Sequence, residues 1–285
     1  MEERRFADGN LEVVVLPDIG ARLHRIRAFG YDILRTPSDP SCYDREPFFW
    51  GSYVMAPWCN RIETHPIQIG ARTMRLLPNF PDGTAIHGQV YSRRWEGSAD
   101  GLFRIQAGGD EWPWEYEVSL QVEVAEPSVR LTYALTNHSS DAMPAGIGIH
   151  PLFRKPVHIA IKGESVFSPN TDTPALPSPV GGELDLRQLR EVAENLDASW
   201  TDLADPAAEL AWPEPRVRAT MRAIGPSVYL SAASLSFLES IAVEPETNLP
   251  QGLRRLLNKE PGGLQMLAPE ATLGLRIELA FAQGD

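Results

Sequence analysis

Glu244 closes an apolar run, Ile241-Ala-Val-Glu244, and Pro245 fixes the backbone directly after it. His150 ends a comparable stretch, Gly146-Ile-Gly-Ile-His150, and is followed by Pro151. A carboxylate and an imidazole held by stiff backbone are the groups that take and give protons near neutral pH. The three apolar residues before Glu244 imply partial burial, which raises a carboxyl pKa. Four more polar residues stand beside turn formers and aromatics. They are Asn60 and Arg61 in Ala56-Pro-Trp-Cys-Asn-Arg-Ile62, His87 in Ile86-His87-Gly88, and Asp197 in Leu196-Asp197-Ala-Ser-Trp200. Planar polar groups with tryptophans nearby suit a sugar, whose hydroxyls need paired donors and acceptors and whose C–H faces rest on rings. Each residue also has a plainer local reading. Asn60 can cap a turn, Asp197 can end a helix, and His150 can be a packed histidine in a buried strand.

Other chemistries find no motif. The six histidines include no HExxH and no close pair at metal-ligand spacing. No GxSxG, P-loop or complete dinucleotide fingerprint is present, and neither cysteine lies in a CxxC. What remains is a site without a cofactor, built from Glu, His, Asp, Asn and Arg.

Such groups lie far apart in the chain, so the fold must gather them. The dominant signal is short β-branched runs broken by Gly, Pro, Asn and Asp. Tyr116 to Val124 and Val129 to Thr136 alternate with period two across Ala-Glu-Pro-Ser and read as a hairpin. Leu11 to Leu16, Ala21 to Phe29, Thr73 to Leu77, Val157 to Ile161, Val217 to Ile224, Val228 to Ala232, Ser240 to Val243 and Leu273 to Phe281 read as further strands. Helix signals are confined to Glu183 to Asn195, with Leu186, Leu189 and Ala193 on one face, and to Gln251 to Asn258. Many strands and almost no helix predict an all-β fold, a large antiparallel β-sandwich with few short helices. No composition break divides the chain, so residues 1–285 read as a single domain.

The net charge of −12 argues against a nucleic-acid surface and against attraction to anionic lipid. No apolar run is long enough to span a bilayer, and the start MEERRFADGN lacks the apolar core of a signal peptide. Cys42 and Cys59 read as buried thiols in a reducing compartment. The expectation is therefore a cytoplasmic protein, monomer or homodimer, with a small-molecule partner.

Taken in order, Pro57-Trp-Cys-Asn-Arg-Ile62, Ile86-His-Gly88 with Trp95 downstream, Gly146 to Phe153, Leu196-Asp-Ala-Ser-Trp200 and Val243-Glu-Pro-Glu-Thr-Asn-Leu-Pro250 resemble the aldose 1-epimerase (galactose mutarotase) family. The resemblance runs from about residue 52 to 252. It implies a β-sandwich with the sugar in an open cleft and no cofactor. It implies Glu244 as catalytic base and His150 as catalytic acid, with His87, Asn60, Arg61 and Asp197 binding the sugar. The reaction it implies interconverts α- and β-anomers by opening and reclosing the ring, with only modest pKa shifts needed for both groups. The chain departs from the family at Gln89, Leu152, Trp200 and Pro269-Glu-Ala271. These departures spare the acid and base but leave the sugar open. Arg93, Arg94, Arg154 and Lys155 keep a hexose 6-phosphate in view, since a phosphate needs cations. A non-catalytic sugar-binding or sensing module on the same fold is a further alternative.

Overall fold

The alternation of the two central runs becomes a hairpin of ten residues against ten, from Tyr116 opposite Asn137 to Ala125 opposite Ser128. Their apolar positions alternate into the core along nearly the whole length. The computed structural model describes residues 1–168 and 176–284. Among these, one continuous antiparallel sheet dominates, and it folds over on itself into two facing layers.

One layer places Leu102–Ala107, Tyr116–Ala125, Ser128–Asn137, Thr272–Gln283 and Val217–Ile224 side by side. The other runs Tyr229–Ser234, Ser240–Glu246, Gly148–Arg154, Ser52–Met55, Arg22–Ala28, Leu11–Leu16 and Arg4–Asp8. The strand Leu196–Trp212 belongs to both. Its first part, Leu196 to Trp200, pairs with Tyr229–Ser234, and its last part, Ala208 to Trp212, pairs with Val217–Ile224. His158–Phe167 follows its other side, with a shift of register between Ile161 and Gly163. Val13 and Val15 of one layer join Val118, Leu120, Val129 and Leu131 of the other in a single core, which keeps the layers together.

Three expectations change. Glu183 to Asn195 does not form a helix; only Gly182–Leu184 makes a short 3-10 turn. Past it the chain lies along His158–Phe167, with the Ile161 amide donating to the Leu186 carbonyl and Arg190 bridged to Ile159. Leu186 alone of the supposed apolar face is buried, and the unpaired edge of that strand supplies hydrogen bonds that outweigh a weak helix propensity. Leu196–Trp212, by contrast, was not legible as a strand because Asp202, Asp205 and Pro206 interrupt it. Pro206 falls where the ladder to His158–Phe167 is irregular, so its missing N–H is not needed there. Thr73 to Leu77 shrinks to Arg72–Met74, paired with Ile67–Ile69. The helix Gly252–Asn258 forms as expected. Both cysteines are free thiols, Cys59 buried and Cys42 half-buried. Among the described residues, no helix is long and apolar enough to cross a membrane.

Candidate active site

Period two places Glu244 and Glu246 on one face of Ser240–Glu246, and His150 on the same face of Gly148–Arg154. The ladder between these strands sets Gly148 opposite Glu246 and Leu152 opposite Ala242, so His150 falls level with Glu244. Between those two pairs the ladder lapses. Pro151 and Pro245 lie in the gap, one on each strand, and neither has an N–H to donate. Pro151 therefore does not end its strand, which runs on to Arg154. His150 Nε2 stands 3.3 Å from Glu244 Oε1, and the two side chains keep only 12% and 5% of their surface. Tyr53, opposite His150 on the next strand, stacks on the imidazole at 4.7 Å and 17°.

Behind Tyr53 lies Arg22, with no exposed surface. Its guanidinium sits 4.1 Å from the Trp50 ring and 4.7 Å from the Tyr53 ring. It donates to the carbonyls of Trp50 at 3.1 Å and Pro47 at 2.7 Å. Stacked rings with a fixed cation behind them hold the plane of the His150 ring.

His87 approaches from the opposite side, 5.0 Å from His150 between ring centres and edge-on to it. It is clasped by Asn60. The His87 amide donates to the Asn60 carbonyl at 3.1 Å, and the Asn60 amide donates to His87 Nδ1 at 3.2 Å. Both residues hold left-handed backbone, with φ of 56° at Asn60 and 61° at His87. Asparagine tolerates this region well and histidine less so, and such strain persists only where surrounding structure fixes it. Arg61 leans on the Phe80 ring at 5.1 Å and pairs with Asp82 at 2.8 Å, while its own amide donates to Asn60 Oδ1 at 2.9 Å. Asp197 lies on the same sheet face, opposite Ala233 and half-buried. All six sequence candidates thus converge. Asn60, however, holds His87 and Arg61 with its backbone amide and its side-chain oxygen.

Burial governs the protonation of these groups. It pushes the Glu244 carboxyl well above the ordinary range, and negative charge on the nearby Glu246 or Asp197 raises it further. Burial also lowers His150 to about 3, helped by the charge of Arg22. These shifts are large where modest ones were expected. Both act against charge separation, so the proton between the two groups rests on the carboxyl while the site is dry. Burial, with His150 and Arg61 nearby, keeps His87 neutral too.

His87, His150 and Glu244 bring their ligand atoms within 4.8 Å of one another, a spacing that could hold a metal ion. The tautomer of His87 opposes this. A backbone amide can only donate, so Nδ1 must be the acceptor and Nε2 carries the proton. Neither nitrogen then has a free lone pair for a cation.

One expectation fails here. All seven tryptophans are buried to within 1%, so none is a sugar platform. The rings around the site are instead Tyr53, Phe48, Phe80 and Tyr91. At Gly146 and Gly148 neighbouring segments approach the backbone closely. A Cβ on Gly146 would meet Asn248 Oδ1 at 1.9 Å, and one on Gly148 would meet Cys59, Glu246 and Met55 below 3.0 Å. Of the cations left open in the sequence, Arg93 lines a cleft with Gly88, Gln89 and Tyr91, and the other three lie elsewhere. Arg94 pairs with Asp18 and is largely exposed. Arg154 and Lys155 line a separate cleft of about 800 Å³ with Arg35, Glu191 and Glu239. Arg154 is four residues along the strand from His150, roughly 14 Å at the rise of a β-strand. Sequence reading missed Tyr53, Arg22 and Glu246. Only Glu246 carried a signal, being two positions from Glu244 in a strand.

A family model described as aldose 1-epimerase matches residues 5–246. No curated protein matches the chain. Among solved structures, a galactose mutarotase-like protein from Clostridium acetobutylicum superposes with a TM-score of 0.84 at 18% identity, over 98% of this chain and 94% of that one. A galactose mutarotase-like protein from Lactobacillus casei gives 0.76 at 16% identity, over 99% and 100%. A galactose 1-epimerase from Lactobacillus acidophilus gives 0.73 at 16% identity, over 98% and 93%. At these identities the likeness is one of fold.

Proposed function

The chain belongs to the aldose 1-epimerase family, and from that premise we propose that it is a mutarotase interconverting the α- and β-anomers of an aldohexose. The observation that carries the proposal is the 3.3 Å between Glu244 Oε1 and His150 Nε2. Anomer exchange moves a proton off the C1 hydroxyl and another onto the ring oxygen. Those two oxygens share one carbon, so the acid and base must converge on a spot of that size. Glu244 takes the hydroxyl proton and His150 gives one to the ring oxygen; the C–O bond of the ring breaks and C1 becomes the aldehyde carbonyl. After rotation about C1–C2 the transfers reverse and the ring closes on the other face.

Opening starts from carboxylate and imidazolium and ends at carboxylic acid and neutral imidazole. The second state is the one that burial favours in the empty site. Sugar hydroxyls entering beside Arg61 and Asp197 supply the hydrogen bonds that make the charged state accessible. Neutral His87 donates through Nε2–H near the reacting end. Each positioned proton-transfer group is worth roughly 10² to 10⁴ in rate.

A neutral aldose fits better than a hexose 6-phosphate. Arg154 and Lys155 line a separate cleft that none of the site residues borders, and Arg61 is already paired with Asp82. We take residues 1–285 as one cytoplasmic domain that needs no cofactor. The test is NMR exchange between anomers over a panel of neutral and 6-phosphorylated aldoses, with Glu244→Gln alongside. Wild type should accelerate exchange of neutral aldoses, and Glu244→Gln should lose at least about 10²-fold. Sugar binding without turnover in the wild type would instead favour a sensing module.

A further inference from the structure

Glu246 is a carboxyl that the proposed cycle does not use. It has no exposed surface and lies on the same face as Glu244, two residues on. Ser231 donates its hydroxyl proton to Glu246 Oε1, and Ser231 Oγ lies 2.5 Å from Ser199 Oγ. Glu246 Oε2 is buried with no hydrogen-bond partner. Gly148 faces it from one neighbouring strand and Tyr229 from the other.

The titratable groups around it are Glu244 on its own strand, Tyr229 across the ladder, Asp197 on Leu196–Trp212 and Cys59 before Asn60. All four are acids. Among bases, His150 lies one pair further along the neighbouring strand and faces Glu244, and Arg255 lies beside Tyr229. An ionised Glu246 would be a second negative charge in a dry pocket, its Oε1 met by the Ser231 hydroxyl and its Oε2 without a hydrogen-bond partner. As a neutral acid it accepts the Ser231 proton at the carbonyl oxygen and carries its own proton on Oε2.

We propose that Glu246 stays protonated throughout turnover and is a positioning residue, held by Ser231 and Ser199, whose neutrality leaves Glu244 as the one carboxyl of this strand that ionises. The proposal rests on the reading of Glu244 as the base. Burial raises Glu246 to about 8, which sets where neutrality ends. Above that pH its charge opposes ionisation of Glu244, and the enzyme-catalysed rate falls.

The test is the pH dependence of anomer exchange from pH 6 to 9.5 for wild type and Glu246→Gln. Glutamine copies the shape and carbonyl acceptor of the neutral acid but cannot ionise. Wild type should lose rate above about pH 8, by up to tenfold per unit, while Glu246→Gln stays level. Parallel alkaline limbs, or a Glu246→Gln protein that folds but is inactive at every pH, overturn the proposal. Infrared spectroscopy needs no turnover. In Glu244→Gln, a buried protonated-carboxyl band should remain at pH 7 and vanish as pH rises through about 8. Its absence at pH 7 overturns the proposal even if Glu246→Gln fails to fold. If the band is present but the wild type exchanges no anomers, the mutarotase reading fails while the protonated Glu246 stands.

Discussion

Gly88→Ala should separate the positioning of His87 from the general stability of its loop. Gly88 has φ of +74°, and a Cβ there would lie 1.9 Å from the Ala56 carbonyl oxygen and 2.3 Å from its carbon. Real Cβ contacts essentially never fall under 3.0 Å, so the two backbones must open by at least 1.1 Å. Ala56 and Gly88 form a parallel bridge, and the Gln89 amide donates to the same carbonyl at 2.8 Å. The displacement therefore cannot be absorbed by a flexible side chain and passes to His87, the preceding residue.

A misplacement of about 1 Å in a catalytic arrangement costs roughly 10²-fold in rate, or about 2.7 kcal/mol of activation free energy. The left-handed φ adds roughly 1 kcal/mol to the stability loss. Gly83→Ala is the control. Gly83 has φ of +84° with nothing within 4 Å of its added Cβ, so it carries the φ penalty without the displacement. The assay is polarimetric decay of fresh α-glucose or α-galactose, with thermal unfolding followed by circular dichroism on the same samples. Gly88→Ala should lose about 10² in kcat/KM at a temperature where it is fully folded, and Gly83→Ala should lose little. A folded Gly88→Ala within threefold of wild type would refute the placement of His87 in the chemistry.

Other expectations follow from the same geometry. Asp197→Ala should raise KM for neutral aldoses by about tenfold or more, the loss of one charge-assisted hydrogen bond, as read from steady-state kinetics; an unaltered KM removes Asp197 from the sugar site. Unfolded histidine takes up a proton near its ordinary ~6.5, whereas folded His150 takes none until about 3. For this group the unfolded state thus binds more protons in that window, so its contribution to stability is lost as pH drops from 6.5 toward 3, while the raised Glu244 and Glu246 carboxyls act the opposite way. Urea unfolding at pH 7, 5 and 4 should therefore show the effect as a difference, the wild type losing stability relative to His150→Gln as pH falls. Zn²⁺ in moderate excess should leave the unfolding temperature unchanged, because the Asn60 amide keeps a proton on His87 Nε2. A zinc-dependent rise of several degrees would contradict that tautomer.

The sequence by itself determined the strand class and the residue types of the site. Period-two alternation in Tyr116–Ala125 and Ser128–Asn137 is a local property, and the observed burial follows it almost residue by residue. Pro245 after Glu244 and Pro151 after His150 marked both groups as held by stiff backbone. Tertiary structure decided everything that depends on pairing between distant segments. It turned Glu183 to Asn195 into an edge companion of a strand, and it drew Leu196–Trp212 through Asp202, Asp205 and Pro206, because partner strands supplied hydrogen bonds that local propensity does not encode. It buried every tryptophan in the core and left Tyr53 to stack on His150. It also placed Ser231 of one strand against Glu246 of the next. Which side chains share a strand face is fixed by spacing along the chain. Which faces meet, and how dry they become, is fixed only when the sheet folds over on itself, and that desolvation drives Glu244 and His150 toward their neutral forms.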